Sequence, residues 1–348
     1  MYPALAAAQA LIKLYPDARL NFVGTKGGFE RPLVEQANVQ FHTYDEVQSG
    51  PLHGVNPIRA IGSLIKLTAG IFQAFRVLSN HKPEAILSTG GWASLPVAIA
   101  ARVKSIPMLI YLPDIEPGLT IKVLKRFAQK VAITTPESEQ YFKQGQTVVT
   151  GYPLRTEMDT ATREEAIQHF NLDADRKTLL VFGGSRGARV INIAVGNILP
   201  QLLDAGIQVL HITGTLDWER SQQQNMAHPL YHAYPYLHDD MGLAYAAADL
   251  AVCRSGASIL GEFPFFQLPS ILIPLAYSWR YQQVNADYLA DHGAAIHLDE
   301  SKMEAELLSI IQRLFADSDE LAKMKSCVAA LNVPNGAENI AQTLADMT

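Results

Sequence analysis

The apolar run Leu179-Leu180-Val181-Phe182 passes without a spacer into Gly183-Gly184-Ser185-Arg186-Gly187, and the residues after it read as a helix to about 203. That order of strand, glycine turn and helix start restricts the fold severely. It leaves backbone N–H groups unpaired at the positive end of a helix dipole, a setting that suits an anion and a phosphate above all. The same junction recurs at 249–262, where the apolar strand 249–252 leads into Cys253-Arg254-Ser255-Gly256-Ala257 and then an apolar helical segment. Two such junctions in one half of a chain point to a doubly wound parallel α/β sheet, whose ligands lie at the carboxyl ends of its strands.

The first half follows the same alternation. Strands are expected at 20–24, 39–44, 85–89 and 108–111, and helices at 1–12, up to 36, 57–79, 94–103 and 118–128. In the second half, further strands are expected at 209–213 and 270–274 and a helix at 281–292. A length of 348 residues suits two domains. The boundaries expected are 1–152 for the first and 153–331 for the second, with an amphipathic helix in 332–348 packing back on the first. The fold class is therefore α/β, with two Rossmann-like doubly wound domains.

Composition excludes several classes of function. With 48% apolar and 18% charged residues the chain is globular and not disordered. A net charge of −6 argues against a nucleic-acid partner. Two cysteines, Cys253 and Cys327, cannot make a disulfide framework or a cysteine zinc site, and they fit a reducing cytoplasm. Ten histidines occur without H-x-x-x-H or H-E-x-x-H spacing, so no metal site is expected. There is no unbroken run of 18 apolar residues and no basic flank with an apolar h-region, so neither a spanning helix nor a signal peptide is expected.

Residues around the two junctions have alternative uses. Glu262 could accept hydrogen bonds from the vicinal hydroxyls of a ribose, or be a solvated helix residue with Ser255 as an N-cap. Gln282 and Asn285, one helical turn apart, could reach the same crevice or simply begin a polar helix. Arg155 could offset phosphate charge or form a salt bridge. Asp239-Asp240 precedes a good helix and reads as an N-cap.

In order along the chain stand Pro3-Ala4-Leu5-Ala6, Gly90-Gly91-Trp92-Ala93-Ser94, Gly118-Leu119-Thr120 and Gly151-Tyr152-Pro153-Leu154-Arg155. They are followed by Gly183-Gly184-Ser185-Arg186-Gly187-Ala188-Arg189, Asp240-Met241, Cys253-Arg254-Ser255-Gly256-Ala257, Glu262 and Gln282-x-x-Asn285-Ala286. Together these resemble the MurG family, bacterial transferases that convert lipid I to lipid II by adding N-acetylglucosamine to undecaprenyl-pyrophosphoryl-N-acetylmuramoyl-pentapeptide. The resemblance implies the two-domain GT-B architecture, inversion at the transferred sugar, and no cofactor or metal. It implies UDP-N-acetylglucosamine as donor, bound by Arg155, Ser185, His238, Arg254, Ser255, Gly256, Glu262 and Gln282. Within that set Ser185 and Arg155 lie near the phosphates, the backbone around His238 at the uracil, Glu262 at the ribose and Gln282 at the sugar hydroxyls. The lipid acceptor falls to the first domain, with Gly90 and Gly91 in a pyrophosphate loop. Other lipid acceptors, such as diacylglycerol, and a non-catalytic UDP-sugar-binding protein remain as alternatives.

Three departures from the family pattern bear on catalysis. The family has a strand and a Gly-Gly-x-Gly-Gly-His loop before the Pro-Ala-Leu-Ala helix, and the expectation is that both are encoded upstream of Met1, with the usual base histidine among them. Asp114 stands where the family has asparagine, which makes it a second candidate base. Tyr281 takes a usually polar position, and Arg186 replaces a common glutamine. Finally, Leu64, Ile65, Leu67, Ile71, Phe72 and Phe75 with Arg59, Lys66 and Arg76 have the composition either of a helix lying on anionic lipid, at the cytoplasmic face of the plasma membrane, or of a core helix.

Overall fold

A computed structural model describes residues 1–28, 30–50, 56–184, 188–223, 228–275 and 280–348. The chain separates into two units, Met1–Arg155 with Val333–Thr348, and Thr156–Asn332.

Unit 1 opens with α1 (Tyr2–Leu14), an alanine-rich helix with proline in its first turn and a buried face of Leu5, Ala6, Ala7, Ala8 and Ala10. There follow β1 (Asn21–Thr25), α2 (Glu30–Glu35), β2 (Thr43–Val47), α3 (Pro57–His81), β3 (Ile86–Ser88), α4 (Ser94–Val103), β4 (Met108–Leu112), α5 (Leu119–Leu124), β5 (Lys130–Ile133), a 3₁₀ turn (Pro136–Tyr141) and β6 (Thr147–Val149). Every pairing is parallel. The strands fall into two sheets, β1-β2 and β3-β4-β5-β6, instead of the single sheet expected, because among the described residues no strand joins β1 to β3. Strand β4 is buried at all five positions, the signature of a parallel strand covered on both faces.

Strand β2 lies three to four residues later than expected, and α5 ends at Leu124. Helix α3 contains Ile61–His81, long and apolar enough by composition to cross a membrane at a mean hydropathy of 1.3, although Lys66 and Arg76 break the apolar run. Its inner residues Ala74 and Leu78 join Val47, Val97, Ala100 and Ala101 in a buried cluster.

Unit 2 comprises α6 (Thr156–Asp159), α7 (Arg163–Phe170), β7 (Thr178–Phe182), α8 (Arg189–Asp204), β8 (Gln208–Ile212), α9 (Trp218–Gln223), β9 (Tyr231–Tyr234), α10 (Met241–Ala247), β10 (Leu250–Cys253), α11 (Ile259–Phe266), β11 (Ser270–Leu272), α12 (Tyr281–Asp291), β12 (Ala295–His297), a 3₁₀ turn (Glu300–Lys302), α13 (Met303–Ala316) and α14 (Ser318–Ala330). Its six strands form one parallel sheet in the order β12-β11-β10-β7-β8-β9. The winding reverses between β7 and β10, and that reversal places a ligand crevice outside their carboxyl ends. The core on one side gathers Leu179, Val181, Ile191, Val195, Val252, Ile271, Leu307 and Ile311, all buried.

The last helix, α15 (Gly336–Ala345), returns to unit 1 and packs against α1. Ile340 joins Ala7, Leu109, Tyr111 and Ala132 in one cluster, and Asn339 donates from Nδ2 to the Thr150 carbonyl at 3.0 Å.

Candidate functional site

Phe182 and Cys253 are register partners at the carboxyl ends of β7 and β10, so the two glycine turns that follow them begin side by side at the switch point. Gly184 has φ +85°, a conformation open to glycine at little cost. Ser185, Arg186 and Gly187 lie outside the described residues, as do residues 276–279. Helix α8 then starts at Arg189.

At the start of α8 sits a buried polar chain. His211 on β8 meets Asn192 Oδ1 through Nε2 at 3.0 Å and the Tyr231 hydroxyl through Nδ1 at 2.9 Å. Asn192 donates from Nδ2 to the Thr213 carbonyl at 2.8 Å and to Asp217 at 2.9 Å. Since Asn192 presents its oxygen to the ring, Nε2 carries the hydrogen and Nδ1 accepts from the phenol. Burial pushes the His211 pKa down to about 4, partly opposed by Asp217, and lifts the Tyr231 phenol to about 12. The chain ties the first turn of α8 to the end of β8.

The second turn is organised by Ser255, which is fully buried. Its hydroxyl donates to the Gln282 carbonyl at 2.7 Å, and Asn285 returns a bond from Nδ2 to the Ser255 carbonyl at 3.2 Å. Gln282 Oε1 accepts from the Leu275 N–H at 3.0 Å. Ser255, Gln282 and Asn285, grouped from sequence alone, are thus one connected frame. Ser255 is not an N-cap: α11 begins at Ile259, after Ser258. Glu262 therefore lies in the first turn of α11. Its Oε2 accepts from the Tyr245 hydroxyl at 2.8 Å. Tyr245 is itself held among Phe182, Phe263 and Phe266 at centroid separations of 5.4–5.9 Å. The Cys253 thiol is raised well above the usual range, first by burial and then by Glu262, so it stays protonated.

Arg254, only 10% exposed, donates from Nη1 to the carbonyls of Ile273 at 3.1 Å and Pro274 at 3.3 Å and to Glu300 Oε2 at 2.7 Å. Gly256 stands with open space where a side chain would be. His238 is exposed, 5.9 Å edge-on from Tyr236 and 3.6 Å from Asp239. Asp240 occupies the N-cap of α10 without a side-chain cap bond; its carboxylate faces His169 at 3.5 Å instead. Tyr245 and Glu300 carry no motif, and the sequence reading did not include them.

In unit 1 the carboxyl ends of β3 and β4 hold the other expected residues. Gly90 and Gly91 are consecutive left-handed residues, φ +89° and +87°. Their loop is braced by Ser88, which accepts from the Gly90 N–H at 3.2 Å, and by Ser94, which donates to the Gly90 carbonyl at 2.7 Å. Asp114 follows β4 and is half-buried. Arg155, at the boundary of the unit, lies with its guanidinium 4.9 Å over the ring of Tyr2. Among the described residues no three His, Cys, Asp or Glu side chains group as metal ligands.

Residues 1–133 match the glycosyltransferase family 28 N-terminal domain and residues 178–340 the glycosyltransferase family 28 C-terminal domain. A UDP-N-acetylglucosamine--N-acetylmuramyl-(pentapeptide) pyrophosphoryl-undecaprenol N-acetylglucosamine transferase of Roseiflexus sp. is 35% identical, covering 98% of this chain and 91% of that protein. The transferase of the same name from Bacillus subtilis is 31% identical over 100% of this chain and 96% of its own length. Among solved structures, Acinetobacter baumannii MurG superposes with a TM-score of 0.78 at 25% identity, covering 99% of this chain and 95% of that one. A UDP-GlcNAc 2-epimerase from Neisseria meningitidis shares the fold alone, at 11% identity and a TM-score of 0.70.

Proposed function

The chain belongs to the MurG family within glycosyltransferase family 28, and from that membership we propose that it moves N-acetylglucosamine from UDP-N-acetylglucosamine to the C4 hydroxyl of lipid I, forming lipid II for peptidoglycan. The observation that carries this reading is near-full-length identity above 30% to transferases of that name, joined to a switch point lined by the frame of Ser255, Gln282 and Asn285. In the reaction the acceptor oxygen forms a bond to the anomeric carbon as the bond from that carbon to the β-phosphate oxygen breaks. UDP leaves with the electron pair, the configuration inverts, and the hydroxyl proton passes to a base.

In unit 2, Glu262 takes the ribose diol, the turns after Phe182 and Cys253 take the diphosphate through backbone N–H groups, and Gln282 takes the sugar hydroxyls. The Leu275 N–H on Gln282 Oε1 leaves its amide hydrogens to donate. In unit 1, the Gly90-Gly91 loop, with its Gly90 N–H held by Ser88, takes the acceptor pyrophosphate, and Asp114 serves as base. Contact with lipid is made by α3, whose Ile61, Leu64, Ile65 and Phe72 are exposed on one face with Lys66 and Arg76 beside them. That pattern suits an anionic, cytoplasm-facing membrane surface.

Transfer of labelled N-acetylglucosamine to lipid I, run beside diacylglycerol, tests the assignment. Product with lipid I alone supports it; product with diacylglycerol, or donor binding without any transfer, overturns it. An Asp114→Asn protein with undiminished turnover removes Asp114 as the base.

A further inference from the structure

Arg254 and Glu300 lie 46 positions apart in sequence yet meet at 2.7 Å. Neither is well exposed, at 10% and 22% for the two side chains. The same Arg254 nitrogen holds the carbonyls of Ile273 and Pro274, so it fixes the segment that follows β11. The next residue, Leu275, gives its N–H to Gln282 Oε1. Ser255, adjacent to Arg254 in the chain, holds the Gln282 carbonyl from the other side. A closed circuit results, running from Glu300 through Arg254 and the 273–275 backbone to the Gln282 amide and back through Ser255. We infer that Arg254 and Glu300 form a clamp that positions Gln282 for the donor sugar, which makes Glu300 a positioning residue for sugar recognition and Arg254 a buried brace instead of a diphosphate ligand. This rests on the UDP-sugar reading of the unit 2 site.

The chemistry separates the two roles of Arg254. A guanidinium that neutralises phosphate contributes equally to UDP and UDP-N-acetylglucosamine, since both carry the diphosphate. A guanidinium that aims Gln282 matters only for the ligand with a sugar. A charge-assisted hydrogen bond lost from such a brace corresponds to about tenfold or more in affinity.

Calorimetric titration of both ligands into the intact protein and into Glu300→Ala, Glu300→Gln, Arg254→Lys and Gln282→Ala variants decides the matter. The clamp predicts that Glu300→Ala and Arg254→Lys weaken UDP-N-acetylglucosamine about tenfold while UDP stays within about twofold. Glu300→Gln, which keeps an acceptor, recovers part of the loss. In a Gln282→Ala background, Glu300→Ala adds nothing further. Equal losses for both ligands, or unchanged sugar-nucleotide affinity in Glu300→Ala, overturn the clamp. Where Glu300→Ala fails to fold, Glu300→Gln supplies the test: no shift between the two ligands sinks the inference. An unaltered protein that binds neither ligand overturns the donor-site reading itself, and the clamp with it.

Discussion

Tyr245 donates its phenol hydrogen to Glu262 Oε2 at 2.8 Å, and both side chains are buried beside the end of β10. The bond holds a carboxylate in a nearly dry position, ready for a diol, against a wall of phenylalanines. Tyr245→Phe removes the donor while keeping the ring, and it is expected to lower stability by about 1–3 kcal/mol because a buried acceptor loses its partner. UDP affinity should fall with it. Urea denaturation and calorimetry check the pair; full stability with full UDP affinity would show that the phenol does not orient Glu262.

His211 gives the protein an acid-sensitive step. Its folded pKa of about 4 lies below the ordinary 6.5, so the unfolded chain binds more protons between those values. Stability from this group is complete above about pH 6.5, declines as pH falls, and is fully lost by about pH 4, a loss of about 3 kcal/mol. A His211→Gln protein should be less stable at pH 7 and flatter across that window. Denaturation midpoints at half-unit pH steps measure the slope.

Two phenylalanines three residues apart on α3 should behave oppositely. Phe72 is 72% exposed, whereas Phe75 packs against the cluster around Val47 and Ala74. Phe72→Ser is expected to reduce binding to anionic vesicles about tenfold or more with unfolding unchanged, on the value of one buried phenylalanine. Phe75→Ser should cost about 2–4 kcal/mol of stability. Vesicle sedimentation beside thermal unfolding distinguishes them; lipid binding untouched by Phe72→Ser would remove α3 as the membrane face.

Gly336 has no room for a side chain. A Cβ there would collide with the Tyr152 carbonyl, so Gly336→Ala should displace the start of α15 and destabilise the protein by about 1–3 kcal/mol. Gly27, left-handed at φ +68° but with open space around it, is the control; Gly27→Ala should cost about 1–2 kcal/mol. Chemical denaturation of the two variants measures the losses, and a Gly336→Ala protein as stable as the unaltered one would mean that crowding at α15 does not matter.

What the sequence revealed follows from where the information resides. Glycine turns between apolar runs are local, and they located both junctions at the sheet's switch point. Strands β5, β6, β9 and β12 escaped because each is only three or four residues long. Helix α7 carries a local start signal, the capping box of Thr162 and Glu165, but its polar composition hides it. Long-range partners were not legible at all. The carbonyl of Gln282, not a helix N-terminus, takes the Ser255 hydroxyl. In the same way His169 draws Asp240 away from capping, and nothing near Arg254 in sequence announces Glu300.

The return of α15 to α1 fixes an order of events during synthesis. Tyr111, Leu109 and Ala7 belong to a cluster that Ile340 completes, so the first 155 residues leave the ribosome with that face uncovered. All of unit 2 must be made first, a wait of roughly nine to thirty-five seconds at ~5–20 residues per second. Throughout that interval the growing chain presents an apolar surface that α15 later covers.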